Sequence, residues 1–574
     1  MINVDKVLAE QLPSLNNREL TKKPLKAILS NLLHEKDLIE FQNKYPHLQG
    51  IDFVEQVLEY FDFSYRTSDR EKEHIPSTGK VVIIANHPIG SLDGLALLKL
   101  ITDIRPDVKV VANDMLMAIE PMHKMLLPVN NMQGNTATQN LSKIYNYLIK
   151  GGAVIVFPAG EVSRLRPNGV RDTHWHSGFY RIAKATQSPI LPIYIDGRNS
   201  ALFYSVSMLY KPLATMLLIS EMFKQYQKCV DIKIGKLIPK DNYINHHLPY
   251  RTTISLFKKH VYRLGSNKQG LFKTHSPIAQ PEDPKALKLA IEQCESLGST
   301  LDSKEIYLYK YTESSPILRE IGRLREMTFR EIGEGTGNRR DTDKYDAYYF
   351  HLILWDKQNL EIAGAYRFAD TKTVLQKQGK TALYTQSLFK YNSEMTPYFE
   401  HGLELGRSFV QPKYWGKRSL DYLWYGIGAF INKNPKFRYL FGPVSISDSL
   451  PKSAKDHLVF FYQLHFGNKN KLAESNFPYL INKQDKVKFQ ETFTGLDHKA
   501  DFATLKHLIA NMGSSIPTLY KQYSDLCEPG GVEFLSFGTD PEFNDCIDGL
   551  VLVDLDKLKE KKRNRYINSH NIEV

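Results

Sequence analysis

The sequence predicts two domains, an α/β domain followed by an α+β domain, and three observations carry that prediction. At 574 residues the chain is longer than one ordinary domain. Between residues 76 and 264, short buried apolar runs alternate with helical patterns, as in an α/β sheet. Then Gly265–Gly270 and His275–Pro284 are rich in Gly, Pro and polar residues, and hairpin patterns follow them. The expected divisions are a helical extension over 1–75, the α/β domain over 76–264, a linker over 265–300, the second domain over 301–560 and a basic tail over 561–574.

In the extension, Phe53, Val54, Val57, Leu58 and Phe61 share one helix face. Buried strands are expected at Val81–Ala85, Val108–Ala112, Ala153–Pro158 and Ile190–Ile195, and a half-exposed edge strand at Val230–Gly235. Leu141–Ile149 reads as an amphipathic helix. Ser200–Phe223 is apolar but broken by Lys211-Pro212, which suits a helical hairpin or a surface resting on lipid.

The stretch Val81-Val-Ile-Ile-Ala-Asn-His-Pro-Ile-Gly-Ser-Leu-Asp93 organises the first domain. A strand ends in a Gly/Pro turn before a helix, and the turn holds His87 and Asp93. A carboxylate fixes a histidine's tautomer and stabilises its imidazolium, so the pair suits removal of a proton from a hydroxyl. Asp93 also suits a plain helix cap. His174 and His176 lack a third ligand at zinc spacing, so no metal site is expected.

Composition narrows the partners. The net charge of +12 is spread along the chain. Without an Arg-rich arm, zinc-finger spacing or RNA-binding aromatics, it suits an anionic membrane or an acidic carrier protein and not nucleic acid. The four cysteines are scattered like reduced thiols. No signal peptide opens the chain and no run of about eighteen apolar residues occurs. A cytoplasmic location is expected, peripheral on the inner face of a bacterial inner membrane.

Asn86-His87 with Asp93, then Phe157-Pro158-Ala-Gly160-Glu161-Val-Ser163-Arg164, then Leu191-Pro192-Ile193, resemble in order and spacing the PlsC-like glycerolipid acyltransferases. The resemblance spans roughly residues 60–240. It implies esterification of a hydroxyl from an acyl thioester, with His87 as base and Asp93 orienting it. Two departures stand out. Five residues separate His87 from Asp93 where the family has four, and Ala159 replaces the usual glutamate of the Phe-Pro-Glu-Gly block. The displaced Glu161 is expected to meet a cation on the acceptor and Arg164 an anion. The plain alternative is that Glu161 caps a helix.

In the second half, a helix is expected from Pro284 to Leu297, a strand over 305–310 and a helix over Ile317–Ile332. Gly333–Gly337 reads as a flexible loop. Tyr348–Trp355 and Glu361–Phe368 form a hairpin pattern, and Glu404–Val410 a central strand. That strand ends in the basic turn Lys413-Tyr-Trp-Gly416-Lys417-Arg418 before a helix, a natural phosphate site.

This pattern resembles the GNAT acyltransferases, and within them the acyl-homoserine-lactone synthases and ornithine N-acyltransferases, over roughly residues 305–465. Pro517–Lys521 and Phe537–Asp540 also resemble the latter. The resemblance places Arg325, Phe329, Asp343, Asp346, Arg367, Glu404 and Arg407 at the acceptor site. There Glu404 would be the base, and the two aspartates would hold a cationic amino acid. Glu404 and Arg407 equally suit an internal ion-pair network. Lys413, Gly416, Lys417 and Arg418 would meet the donor.

The two halves together resemble the bifunctional ornithine lipid synthases. The resemblance implies N-acylation of an amino acid, ornithine favoured, with a 3-hydroxyacyl chain, then O-acylation of the resulting lyso-aminolipid. It implies no bound cofactor, and thioesters of acyl carrier protein or coenzyme A as donors. The alternative is a lysophospholipid O-acyltransferase whose second half only docks a carrier; a further one is a lipid-holding scaffold without activity.

Overall fold

The computed structural model describes residue 30 and residues 34–112, 117, 119–129, 138–209, 211–244, 248–543 and 545–568. The expected helical reading of residues 1–29 and the end of the basic tail, 569–574, lie outside them. The chain divides into two units between Pro277 and Ile278.

The first unit is built on a seven-stranded sheet. Its strands are β1 (Ser64–Arg66), β2 (Val81–Ala85), β3 (Val108–Ala112), β4 (Leu126–Pro128), β5 (Ala153–Val156), β8 (Ile190–Asp196) and β9 (Cys229–Ile234), with β6 (Arg164–Arg166) and β7 (Gly169–Arg171) forming a separate hairpin. The order is β1-β9-β8-β2-β5-β3-β4, and every pair is parallel except β8–β9. Buried parallel strands face apolar residues on both sides, so β2 and β5 read as unbroken apolar runs. Alternation still sorts their side chains. Val81, Ile83 and Ala85 join the core on one face, and Val82 and Ile84 the core on the other.

Helix α1 (Ile51–Tyr60) buries Val54 and Leu58 and packs on α2 (Leu92–Thr102). Helices α3 (Ala201–Leu209) and α4 (Lys211–Phe223) pack on each other as a hairpin, one of the two arrangements the sequence suits. The extension is not wholly helical. Ser64–Arg66 pairs with Cys229–Asp231 and takes the sheet edge, so β9 lies one strand inside it.

The second unit has an eight-stranded sheet ordered β10-β11-β12-β13-β15-β16-β19-β18. These strands are β10 (Glu295–Ser299), β11 (Lys304–Lys310), β12 (Phe350–Asp356), β13 (Glu361–Asp370), β15 (Gly402–Val410), β16 (Tyr439–Ile446), β18 (Val532–Asp540) and β19 (Cys546–Asp554). A small ribbon pairs β14 (Phe389–Tyr391) with β17 (Ala473–Ser475). The helix expected over 284–297 stops at Ile291, and β10 follows.

Helix α5 (Pro316–Glu331) packs Ile317, Ile321 and Leu324 on one face of the sheet, and α6 (Ser419–Lys433) packs Leu423 and Ile427 on the other. Gly426 allows the close approach of α6, because a Cβ there would lie 2.7 Å from Leu352.

Two irregularities mark β15. Its parallel pairing with β16 covers only Gly402–Glu404 against Tyr439–Phe441, although both strands continue. Opposite Ala365–Arg367 it bulges, with Arg407 at φ +51°. Bulges re-aim side chains where a sheet must open.

Candidate active sites

The first site is the turn after β2. Asn86 ties it to β8, donating from its side-chain amide to Ile195 O at 2.9 Å and accepting from Ile195 N at 2.7 Å. Asn86 is thus a clamp. The His87 ring lies on Phe157, centroids 4.2 Å apart, and its Nδ1 is 3.1 Å from Asp93 Oδ2.

Asp93 is fully buried and also accepts from the backbone amides of Ile89, Gly90, Ser91 and Gly94 at 3.0–3.1 Å. The turn wraps its own carboxylate, with Gly90 at φ +93°, so the extra residue between His87 and Asp93 is absorbed there. Burial pushes the Asp93 carboxyl up, but His87 and the amides outweigh it and hold it below its ordinary value. Burial likewise disfavours charge on His87, yet Asp93, helped by Asp172, raises it above its ordinary value. With Nδ1–H directed at Asp93, Nε2 carries the lone pair for a substrate proton.

Asp172 escaped the sequence reading. It accepts from His87 N at 3.3 Å and from Trp175 Nε1 at 2.7 Å, and it receives the Ser163 hydroxyl. Ser163 N in turn donates to His87 O at 2.8 Å. Asp172 therefore joins the two turns that the motifs occupy, and no local pattern marks it.

Gly160 turns at φ +63°. Glu161 meets Arg164 Nη2 at 3.4 Å and accepts from the Thr173 hydroxyl. Arg164 lies over the Phe203 ring, and its Nε and Nη1 are buried without a hydrogen bond. His174 and His176 are exposed, flanking the buried Trp175.

The second site gathers residues from distant segments. Arg325 is buried on α5. It donates to both Asp346 oxygens, at 3.0 and 2.8 Å, and to Asp341 O. Arg367 on β13 donates to Asp343 at 2.6 Å and Asp346 at 2.9 Å, ringed by Tyr345, Tyr349 and Tyr384. Burial would push Asp346 up, but the two guanidiniums hold it far below the carboxylate range. Arg407 donates to Tyr384 Oη at 3.1 Å and has Nε 3.3 Å from Asp341. Phe329 packs edge-on against Phe543.

Glu404 is 1% exposed. Its carboxylate accepts from Thr385 N at 2.7 Å, from Tyr384 N at 3.2 Å and from the Tyr349 hydroxyl. Burial raises it above its ordinary value. These bonds tie the 384–385 segment to β15.

The Gly333–Gly337 segment is pinned and not the free loop its glycines suggest. Glu326 accepts from Thr336 N at 3.0 Å and Gly337 N at 2.8 Å.

At the far end of β15, the basic turn does precede a helix. Lys413 is ion-paired with Glu361, Lys417 lies over the Tyr414 ring, and Arg418 is 3.7 Å from Asp421. Gly416 turns at φ +74° with open space around a would-be Cβ. Among the described residues no group of three or more His, Cys, Asp or Glu is arranged to hold a metal ion.

Residues 6–268 match the family model described as acyltransferase, and residues 324–425 the acetyltransferase (GNAT) domain. A glycine N(alpha)-acyltransferase from Phocaeicola vulgatus is 32% identical over 307 residues, covering 51% of this chain and 93% of the relative. The chain belongs to that acyltransferase family. The region that matches the acyltransferase model lies ahead of the GNAT domain. A lyso-glycine lipid O-acyltransferase from Phocaeicola vulgatus is 27% identical over 248 residues, 41% of this chain and 86% of that one. An L-ornithine N(alpha)-acyltransferase from Brucella abortus is 28% identical over 159 residues, 25% and 54% respectively.

Proposed function

We propose that this acyltransferase makes a two-chain aminolipid. The second unit joins a 3-hydroxyacyl chain to the α-amine of an amino acid, and the first unit esterifies the 3-hydroxyl of that lyso-lipid with another chain. The observation that carries the reading is the presence in one chain of two unlike sites. His87–Asp93 is poised for a hydroxyl, and the Arg325–Arg367–Arg407 network lies in a GNAT domain.

In the ester step, His87 Nε2 takes the hydroxyl proton as oxygen attacks the thioester carbonyl. The C–O bond forms, the C–S bond breaks, and the imidazolium returns its proton to the departing thiolate. Asp93 stabilises the imidazolium. Arg164, with two buried nitrogens free of hydrogen bonds, meets the acceptor's carboxylate. In the amide step Arg407 meets the amino-acid carboxylate.

The head group we favour is neutral. Of the two aspartates expected from the sequence to hold a cationic side chain, Asp346 is engaged by Arg325 and Arg367 and Asp343 by Arg367 through Oδ1 alone. Glu161 is likewise engaged by Arg164 and Thr173. That supports glycine, the head group in the name of the relative at 32% identity, ahead of ornithine.

The donors are acyl thioesters. An acidic carrier protein suits the net charge of +12 and a cavity of about 370 Å³ lined by Arg166, Arg171 and Lys258. No described helix is long and apolar enough to cross a membrane. On α3, Leu202 and Met208 are 59% and 63% exposed, while Phe203 of the same helix packs in a cluster with Val162. This supports a peripheral seat on an anionic membrane at the cytoplasmic face.

Expression in a bacterium that makes no aminolipid tests the reading. A new phosphate-free lipid with two acyl chains is expected, and mass spectrometry reads its head group as glycine or ornithine. Remodelled phospholipid chains with no aminolipid would overturn it.

A further inference from the structure

Glu404 accepts three hydrogen bonds, whereas another buried carboxylate of the second unit, Glu334, accepts one from a side chain. Helix α5 ends at Glu331, and Gly333, at φ +79°, turns the chain back so that Glu334 N donates to Phe329 O at 2.8 Å. The Glu334 side chain is 3% exposed. Its carboxylate receives one hydrogen bond, from Ser445 Oγ at 2.9 Å. Ser445 lies on β16, past the point where β16 stops pairing with β15.

The surroundings are electrically unlike the Arg325–Asp346 network. Ser445 is directly opposite Asp548 on β19, and Asp548 is opposite Gly538 on β18. Asp540, two residues on, shares that face. The titratable and charged groups that face Glu334 are Arg407 on β15, Asp540 on β18, and Cys546 and Asp548 on β19. Arg407 is the cation among them, and its Nε already lies 3.3 Å from Asp341. Burial, with Asp540 nearby, pushes Glu334 up to about 7, against Ser445 and Arg407. On the β15 side of the gap there is room, since a Cβ at Gly406 would meet no atom within 4 Å.

We propose that Glu334, held by Ser445 where β15 and β16 part, takes the proton from the attacking amine in the second unit. The proposal rests on the amide-forming reading above. The amino acid enters as its ammonium form and loses one proton to water. Its nitrogen then attacks the thioester carbonyl, forming the C–N bond. One of the two N–H protons left on nitrogen passes to the Glu334 carboxylate as the adduct collapses, and the other stays on the amide. The C–S bond breaks, and Glu334 delivers that proton to the departing thiolate. Thioester and amine become amide and thiol, and Glu334 is restored. Ser445 is a positioning residue, because its hydroxyl favours the ionised carboxylate.

The test is thiol release by the purified full chain from a 3-hydroxyacyl thioester, with glycine or ornithine as acceptor, across pH 5.5–9. In the wild type, kcat/KM should rise through a limb near neutrality. Glu334→Gln should lower kcat about 10²–10³-fold with little change in KM and abolish the limb, and Glu334→Asp should restore part of the rate. Ser445→Ala should move the limb to higher pH. Ester formation on a supplied lyso-aminolipid, and an unchanged melting temperature, report that each preparation is folded. A Glu334→Gln enzyme that keeps half its kcat and its limb would overturn the role. A wild type that forms ester but no amide with either amino acid would overturn the underlying reading instead.

Discussion

The two proposed sites are assembled in opposite ways. The ester site is local. Residues 86–94 contain the proposed base His87, the Asp93 carboxylate and the amides that hold that carboxylate. The proposed amide site is scattered, drawing on α5, the 341–346 segment, β13, β15 and β16. A local site keeps its geometry from one turn. A scattered site inherits it from the whole sheet, so damage there should reach stability as well as rate.

Substitutions can break that contrast. The largest effect is expected at the local site. His87→Ala should lower ester formation about 10³-fold, with lyso-aminolipid accumulating in lipid extracts and the melting temperature scarcely changed. Next, Asp346→Asn should destabilise the second unit by about 3–5 kcal/mol, because it leaves two buried guanidiniums short of charge. Urea unfolding should show one early transition and one unaltered. Tyr349→Phe, which strips a donor from buried Glu404, should cost about 1–3 kcal/mol in the same transition.

Acid offers a gentler probe. The depressed Asp346 contributes stability that is complete above the unfolded carboxyl's pKa of about 3.9 and is lost as pH falls below it. His87 is raised, so ester formation should rise with pH through a limb above the usual imidazole value of about 6.5. Asp93→Asn should move that limb down. The smallest effect is expected at the exposed turn. Lys417→Ala should raise the donor KM about twofold to threefold, and added salt should erase the difference.

The same contrast explains what could be read from sequence. Val81–Ala85 announces itself because both faces of β2 are buried, and His87 and Asp93 lie within one turn of each other in the chain. Ser64–Arg66 is a strand only because β9 offers it an edge, and nothing apolar in Ser-Tyr-Arg signals that. Asp172 is recruited from the end of the β6–β7 hairpin, far along the chain from His87. The Gly333–Gly337 glycines suggest mobility, but the Glu326 carboxylate that ties them down comes from the preceding helix. Glu334 depends on Ser445, over a hundred residues away, and on a strand pairing that stops early. Spacing reports what lies along the chain, and these contacts lie across it.

The wrapping of Asp93 has a kinetic consequence. A carboxylate offers about four lone-pair positions, and donors from His87, Ile89, Gly90, Ser91 and Gly94 occupy them. No room is left for a proton of its own, so Asp93 stays an anion throughout turnover and only one hydrogen is in flight at a time. In mixed light and heavy water, the rate of ester formation should therefore fall along a straight line with deuterium fraction, the mark of a single exchanging site, and not along the bowed curve of a relay.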